Sequence, residues 1–245
     1  SIRGGIPIIL GEENDDDRMS SVDENNRLKV YHLFSRIHGG VERDYNDFEI
    51  VPTFFSQGPG NFRDMAQNRR IDVIFNPRIG SFNVKMFLSL IQADGYNPLS
   101  VESVTFTIKD KQICDDIAAE AIGRAEKAQA QREALSNILH QGPFRPGQLF
   151  ELMKEQLITP LVDRHTFINR VAAAADVSPM GIYKTGFWSD HWTYIMDLLE
   201  SYLLIHPDGE EHLLFDQLLP YFFSPASVRP RSEKYVLSLN VNGDG

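Results

Sequence analysis

The sequence predicts a mainly α-helical protein, for which a helical bundle or a toroid of helical hairpins fits better than a fold built on a sheet. Several segments repeat apolar residues at helical spacing, with roughly six to seven helices in all. The segment 114–140 is rich in good helix formers. Only 1–10 and 101–108 have the composition of extended segments.

Composition and charge exclude several classes of protein. The 245 residues are 42% hydrophobic, enough for a core, and carry a formal net charge of −10. Nucleic acid and anionic membranes select basic faces, so we expect neither as a partner. The single cysteine, Cys114, excludes an internal disulfide and any site of several cysteines, and we expect no metal ion.

The N-terminal part divides into an extended stretch and an acidic one. Residues 1–10 should be extended, and the acidic residues of 11–27 have few apolar neighbours to pack with them. We therefore expect 1–27 to be an extended acidic segment, exposed and dispensable for the core, with a separate domain over 28–245. The stretch 28–34 should form one short element.

The remaining elements follow from periodicity and from helix stop signals. A helix is expected over 62–76, ending before Pro77, and another over 81–93, with Gly95 as its stop. Further helices are predicted over 114–140, 146–158, 163–175 with Asp163 as N-cap, 191–205 and 210–219.

Two tryptophans flank one carboxyl group just before the helix predicted over 191–205. Trp188 and Trp192 stand on either side of Asp190. Apolar walls favour the protonated form of a carboxyl, as a general acid requires, and indole faces stack on sugar rings. The structural alternative is that Ser189 or Asp190 merely caps the helix while the tryptophans fill the core.

A second polar constellation spans residues 57–70. It joins a Gly-Pro-Gly turn to Asn61, Arg63, Asp64 and Gln67, a set suited to several hydroxyls of one polar ligand. It lacks the Gly-Lys-Ser/Thr ending of a phosphate-binding loop. The adjacent Arg69 and Arg70 are candidate phosphate ligands, but we favour a surface or ion-pair role for them.

Together the two segments resemble the inverting glycoside phosphorylases of the cellobiose phosphorylase and large β-glucan phosphorylase kind. Those enzymes carry an Arg-Asp-x-x-Gln-Asp motif, similar to residues 63–68 here, and a later Trp-x-Asp motif, similar to 188–190. Asn68 replaces the final Asp of the first motif. The stretches 55–58, 91–98 and 230–235 resemble the β-glucan enzymes further.

The resemblance implies a fold, a compartment and a chain length. It implies that 28–245 is part of an (α/α) toroid, a six-hairpin barrel, in a cytoplasmic enzyme. Whole enzymes of this kind are much longer than 245 residues. We therefore expect a fragment whose partner is the remainder of a longer catalytic chain.

The resemblance also implies a reaction and residue roles. A β-linked glucan or oligoglucoside would be cleaved by inorganic phosphate, a co-substrate, giving α-glucose 1-phosphate with no cofactor. Asp190 would be the general acid, Arg63, Asp64 and Gln67 would bind the sugar, and Trp188 would wall the site. The phosphate ligands are not identified.

Two alternatives remain open at this stage. An inverting glycoside hydrolase would need a second carboxylate opposite Asp190, for which Asp64 and Asp72 are the candidates. A helical module that only binds glucan would need no acid at all. Activity measured with and without phosphate distinguishes a phosphorylase from a hydrolase. A module that only binds glucan should have no activity to lose, and its Asp190→Asn variant should still bind the ligand.

Overall fold

The computed structural model describes residues 6–11, 21–23, 26–33, 60–183, 188–216, 221–222, 227–228 and 230–233. These residues form a mixed α/β structure with two small antiparallel sheets. The expected (α/α) toroid is therefore wrong as the fold class. The strands are β1 (Ile6–Gly11), β2 (Leu28–Leu33), β3 (Gly60–Asn61), β4 (Ser100–Thr107) and β5 (Asp176–Ile182).

Eight α-helices accompany these strands in the described part of the chain. They are α1 (Phe62–Arg69), α2 (Asp72–Phe75), α3 (Phe82–Leu88), α4 (Lys111–Ile122), α5 (Gln129–His140), α6 (Pro146–Glu155), α7 (Arg164–Ala174) and α8 (His191–Ile205). None of the helices in these residues has both the length and the apolar character needed to cross a membrane.

The first sheet is a two-stranded pair, in which β1 runs antiparallel to β2 from Ile6 opposite Leu33 to Gly11 opposite Leu28. It packs on α7, and the Gly11 amide donates to Asn169 Oδ1 at 3.2 Å. The domain boundary expected after residue 27 thus lies between β1 and β2, which pair with each other in one sheet.

Most of the acidic 11–27 segment lies outside the described residues, but Asp23 does not. Its carboxylate accepts from the Ser81 amide and hydroxyl, both at 2.6 Å, and pairs with Lys85. Burial opposes the charged form, yet the hydrogen bonds from Lys85 and Ser81 lower the pKa of Asp23 overall. At this position the segment is therefore anchored to the protein body.

The second sheet has the order β3-β4-β5, with both pairs antiparallel. The central strand, β4, carries Val101, Val104 and Phe106, all at most 1% exposed, into the main core. The sequence predicted β4 closely. It missed β5, whose Pro179 and Gly181 are unfavourable in strands but tolerated here because β5 lies at the sheet edge.

The helices differ from the predicted ones chiefly where the chain turns. The single helix expected over 114–140 is wrong, because α4 ends at Gly123, whose φ of +83° breaks the helix. The helix expected over 62–76 divides into α1 and α2 but ends before Pro77 as predicted. Helix α7 begins at its predicted cap, because Asp163 accepts from the amides of His165 and Thr166.

Candidate functional site

Three chain segments meet at one end of the second sheet. Asn61 closes β3, Ser100 opens β4 and Ile182 closes β5, and Ser100 pairs with both of the other residues. Because the strands alternate in direction, the chain before β4 and the chain after β3 and β5 emerge at the same end. The helix α1, the turn before β4 and residue Tyr183 therefore lie at this end.

Helix α1 follows β3 directly and carries the polar residues of the second constellation, 57–70. Asn61 caps it, since its side chain accepts from the Arg63 amide at 3.1 Å. A buried stripe anchors its inner face, formed by Phe62, Met65, Ala66 and Arg69. Arg63 and Asp64 lie outside this stripe, half-buried, with Arg63 Nε 3.5 Å from Asp64 Oδ1, and Gln67 lies exposed one turn further on.

Asp190 does not cap α8, and the tryptophans on either side of it do not fill the core. Asp190 occupies the N-cap position with φ −70° and ψ −12°, and its side chain makes no capping hydrogen bond. A capping residue needs an extended backbone to bring its carboxylate onto the following amides, and Asp190 has helical angles instead. Trp188 is 57% exposed and Trp192 45%, so neither fills the core.

One oxygen of Asp190 is buried, and no described residue hydrogen-bonds to it. Within the described residues Asp190 Oδ1 has no hydrogen-bond partner, although water cannot reach it. Buried polar atoms are almost always hydrogen-bonded, and an exception in a folded protein needs a reason.

Asn97 joins the turn before β4 to the turn that carries Asp190. It is fully buried, and its Nδ2 donates to the carbonyls of Gly95 at 3.2 Å and Trp188 at 3.3 Å. Its Oδ1 lies 2.7 Å from His191 Nδ1. The Trp188 carbonyl also accepts from the His191 amide at 3.3 Å, which closes the turn around Asp190.

His191 connects the beginnings of α1 and α8. Its ring stacks on Phe62, with centroids 4.3 Å apart and an interplanar angle of 10°. Burial lowers the pKa of His191 to about 4, with the Arg63 guanidinium acting in the same direction and Asp190 opposing it. His191 is therefore neutral at pH 7, and both Arg63 and Asp190 act on it electrostatically.

The structure thus brings predicted residues from both motifs to the same region. Arg63 and Asp190 both lie close enough to His191 to shift its pKa, Asp64 is paired with Arg63, and Trp188 precedes Asp190 in the turn. Arg69 and Arg70 are in ion pairs, as expected: Arg69 with Asp72 and Arg70 with Asp197 of α8.

Asp72, one candidate for a second carboxylate, belongs to a buried network. Its Oδ2 lies 3.4 Å from His32 Nε2 and from Arg69 Nη1, and 3.1 Å from Asn83 Nδ2. Only 5% of Asp72 is exposed. A carboxylate held by three buried groups is not placed to activate a water molecule on a sugar.

Sequence reasoning did not assign a role to Asn97 or to His191. Both stood in stretches that the sequence analysis noted, 91–98 and the segment around Asp190, but no local pattern connects them. Their hydrogen bond spans 94 positions of the chain. The only local signal was a histidine next to the candidate acid, which is common in proteins without any catalytic role.

Two cavities lie away from this region. One of about 430 Å³ lies where α6 leads into α7, and its lining includes Leu157 of the connection and Arg164 of α7. The other, of about 330 Å³, is lined by Asp23, Tyr202 and His206 among others. Among the described residues no group of three or more His, Cys, Asp or Glu side chains is arranged to hold a metal ion.

Comparisons with protein-family models, with curated proteins and with solved structures gave no match to this chain.

Proposed function

We propose that the region around Asp190 binds a β-linked glucan or oligoglucoside and cleaves it by inverting phosphorolysis. The observation that carries the proposal is the state of Asp190 itself. Its carboxyl neither caps α8 nor, within the described residues, meets any donor at Oδ1, and it lies beside an exposed tryptophan. These features favour a role in chemistry over a role in folding.

The proposed reaction uses one acid and one anionic nucleophile. A phosphate oxygen attacks the anomeric carbon from the face opposite the glucosidic oxygen. The bond from that carbon to the glucosidic oxygen breaks, and the leaving oxygen takes its proton from Asp190. The products are α-glucose 1-phosphate and a glucan that is one sugar shorter, and Asp190 regains its proton from solvent. Inversion at the anomeric carbon and phosphate as the nucleophile are both inferred from the resemblance to the inverting glycoside phosphorylases.

Binding of the sugar is proposed for the groups around the acid. Arg63 and Asp64, paired on the outer face of α1, would hold hydroxyls of the transferred glucosyl unit, and Gln67 would support them one turn on. The exposed indole of Trp188 offers a flat apolar face, the usual surface on which sugar rings stack. We place the protein in the cytoplasm, as part of a longer catalytic chain.

The burial of Asp72 favours phosphorolysis over hydrolysis. An inverting hydrolase needs a second carboxylate that activates water on the opposite face of the sugar. Asp72 is engaged by His32, Arg69 and Asn83, which leaves Asp64 as the remaining candidate, and Asp64 is itself paired with Arg63. Phosphate is already anionic and needs no such base.

The test compares Asp190→Asn with the native chain, both expressed within the longest available reading frame. With laminari- and cello-oligosaccharides and inorganic phosphate, release of glucose 1-phosphate should fall by at least about 10²–10⁴-fold in the variant. Glucan binding, measured by calorimetry, should survive because Asn keeps the shape of Asp. In the synthetic direction α-glucosyl fluoride serves as the donor, and the same residue then acts as the base. Asp163→Asn, at the start of α7, is the matched control and should retain native activity.

Each alternative predicts a different result. Turnover of glucan in phosphate-free buffer would identify a hydrolase. Glucan binding without turnover by the native protein, unchanged in Asp190→Asn, would identify a binding module. Near-normal phosphorolysis by Asp190→Asn would place the acid elsewhere in the chain.

A further inference from the structure

We infer that Asn97 is a positioning residue for this site, whose single amide fixes both the turn that carries Asp190 and the tautomer of His191. The inference deepens the proposed function and rests on it for the catalytic consequence alone. The structural part, the state of His191, stands on the hydrogen bonds of the described residues.

The orientation of the Asn97 amide follows from its partners. The Gly95 and Trp188 carbonyls can only accept, so the amide nitrogen of Asn97 must face them. Its oxygen is then the atom that faces His191 Nδ1 at 2.7 Å. Because that oxygen can only accept, Nδ1 must carry the ring hydrogen.

The tautomer of His191 is thereby fixed. A neutral imidazole with hydrogen on Nδ1 has its lone pair on Nε2. The His191 ring is 3% exposed and stacked on Phe62, and the positive Arg63 guanidinium acts on it. A second N–H and a positive charge on this ring are therefore unfavourable. The charged groups that act on this ring are Arg63 from α1 and Asp190 from its own turn.

The same amide fixes the turn from both sides of the acid. Asn97 binds the carbonyl of Trp188, two residues before Asp190, and the ring of His191, one residue after it. The residues before and after Asp190 are therefore both held by one side chain from the turn before β4, through the Trp188 carbonyl and the His191 ring. Since Asp190 makes no capping bond of its own, this clamp replaces the cap in setting where its carboxyl lies.

Two substitutions separate the two parts of the clamp. Asn97→Asp keeps an acceptor for His191 but loses both donors to the carbonyls. Asn97→Leu keeps the branched shape of the side chain in a larger volume and loses all three hydrogen bonds. Asn83→Leu is the matched control, because Asn83 is also buried and hydrogen-bonded but contacts Asp72 and the Arg69 carbonyl instead.

The first readout does not depend on activity. Nitrogen-15 NMR of the full chain, with His191 assigned by the missing signal in His191→Gln, should give the Nδ1–H tautomer in the native protein. Asn97→Asp should raise the pKa of His191 by about 1–3 pH units, since an opposite charge within hydrogen-bond distance favours the imidazolium. Asn83→Leu should leave the signal unchanged. An Nε2–H tautomer in the native protein, or an unchanged titration in Asn97→Asp, would overturn the inference.

The second readout is how the loss of phosphorolysis activity depends on the leaving group of the substrate. Asn97→Leu should lower phosphorolysis of an unactivated oligoglucoside by about 10²-fold, since a displaced acid loses its alignment. With dinitrophenyl β-glucoside, whose leaving group needs little protonation, the loss should be at least tenfold smaller. Equal losses on both substrates would show that Asn97 only supports the fold. If the native chain releases no glucose 1-phosphate, the proposed function fails, while the NMR result still decides the state of His191.

Discussion

Asp163 and Asp190 each precede a helix, yet the backbone gives them different roles. Asp163 has φ −69° and ψ 161°, and its carboxylate accepts from the amides of His165 and Thr166. Asp190 has φ −70° and ψ −12°, and its carboxylate makes no such bond. A change in one torsion angle therefore decides which aspartate stabilises a helix and which is available for another partner.

We expect the alanine variants of these two aspartates to differ in thermal stability. Asp163→Ala should lower the midpoint of thermal unfolding by about 2–4 °C, because it leaves helix amides without their acceptor. Asp190→Ala should leave the midpoint unchanged or raise it slightly, because it removes a buried oxygen that has no partner within the described residues. Calorimetric scans of both variants test this, and an equal loss in both would mean that Asp190 caps α8 after all.

The buried state of His191 should also appear in the pH dependence of stability. Its folded pKa of about 4 lies below its ordinary value of 6.5, so the unfolded chain binds the proton more readily. His191 therefore contributes stability that is complete above pH 6.5 and is lost as the pH falls toward 4. The contribution is up to about 3 kcal/mol.

The variant His191→Gln isolates this contribution. Denaturant unfolding at several pH values should find the native protein more stable than the variant above pH 6.5, with the gap closing as the pH falls to 4. The gap closes because only the native protein has a histidine to protonate on unfolding. A gap that stays constant over this range would mean that His191 titrates alike in both states.

At the scale of elements, the interruption between α4 and α5 shows how one residue overrides helix propensity. The residues of 114–140 are good helix formers, but Gly123 has φ +83° and ψ 165°, a conformation open essentially to glycine alone. A β-carbon there would also lie 3.1 Å from Leu161 Cδ1. The chain turns at this point, and α4 and α5 then pack on each other.

The direction in which Gly123→Ala changes the free energy of unfolding tests whether the helix is interrupted here. In a continuous helix Gly123→Ala would stabilise the protein by about 1 kcal/mol. With the observed backbone it should destabilise it by about 1–3 kcal/mol, as measured by denaturant unfolding. Repeating the substitution in a Leu161→Ala background separates the contact with Leu161 from the backbone strain, which should remain.

At the scale of the whole molecule, a buried polar network connects the two-stranded sheet to the helices. His32 of β2, Arg69 of α1 and Asn83 of α3 converge on Asp72 of α2. Burial lowers the pKa of His32, with Asp72 opposing that shift. The network joins parts of the chain that are distant in sequence. It therefore stabilises the packing of β2, α1, α2 and α3 on one another, not any one of these elements alone.

Removal of the central carboxylate should therefore be costly. Asp72→Ala should lower the free energy of unfolding by about 3–5 kcal/mol, because it leaves the buried Arg69 guanidinium without the carboxylate it pairs with. Asp197→Ala provides the control, since its ion pair with Arg70 is largely exposed and should contribute at most about 1 kcal/mol. Similar losses in both variants would contradict the importance of the network.

The sequence by itself determined the elements whose causes are local. The apolar stripe fixed α8 over 191–205, a capping side chain fixed the start of α7, and a proline fixed the end of the helical region before residue 77. It also pointed to Asp190, Trp188, Arg63 and Asp64 as candidates, because their residue types and order carry chemical information. Their roles in catalysis stay predictions.

Only the tertiary structure decided the mixed architecture and the relations within the site. β5 is a strand because β4 offers its backbone groups to it, which no periodicity in its own residues announces. Trp188 is exposed, Asp190 lacks a cap and Asn97 reaches His191 across 94 positions of the chain. These properties depend on which distant surfaces meet, and a local pattern of residues does not contain that information.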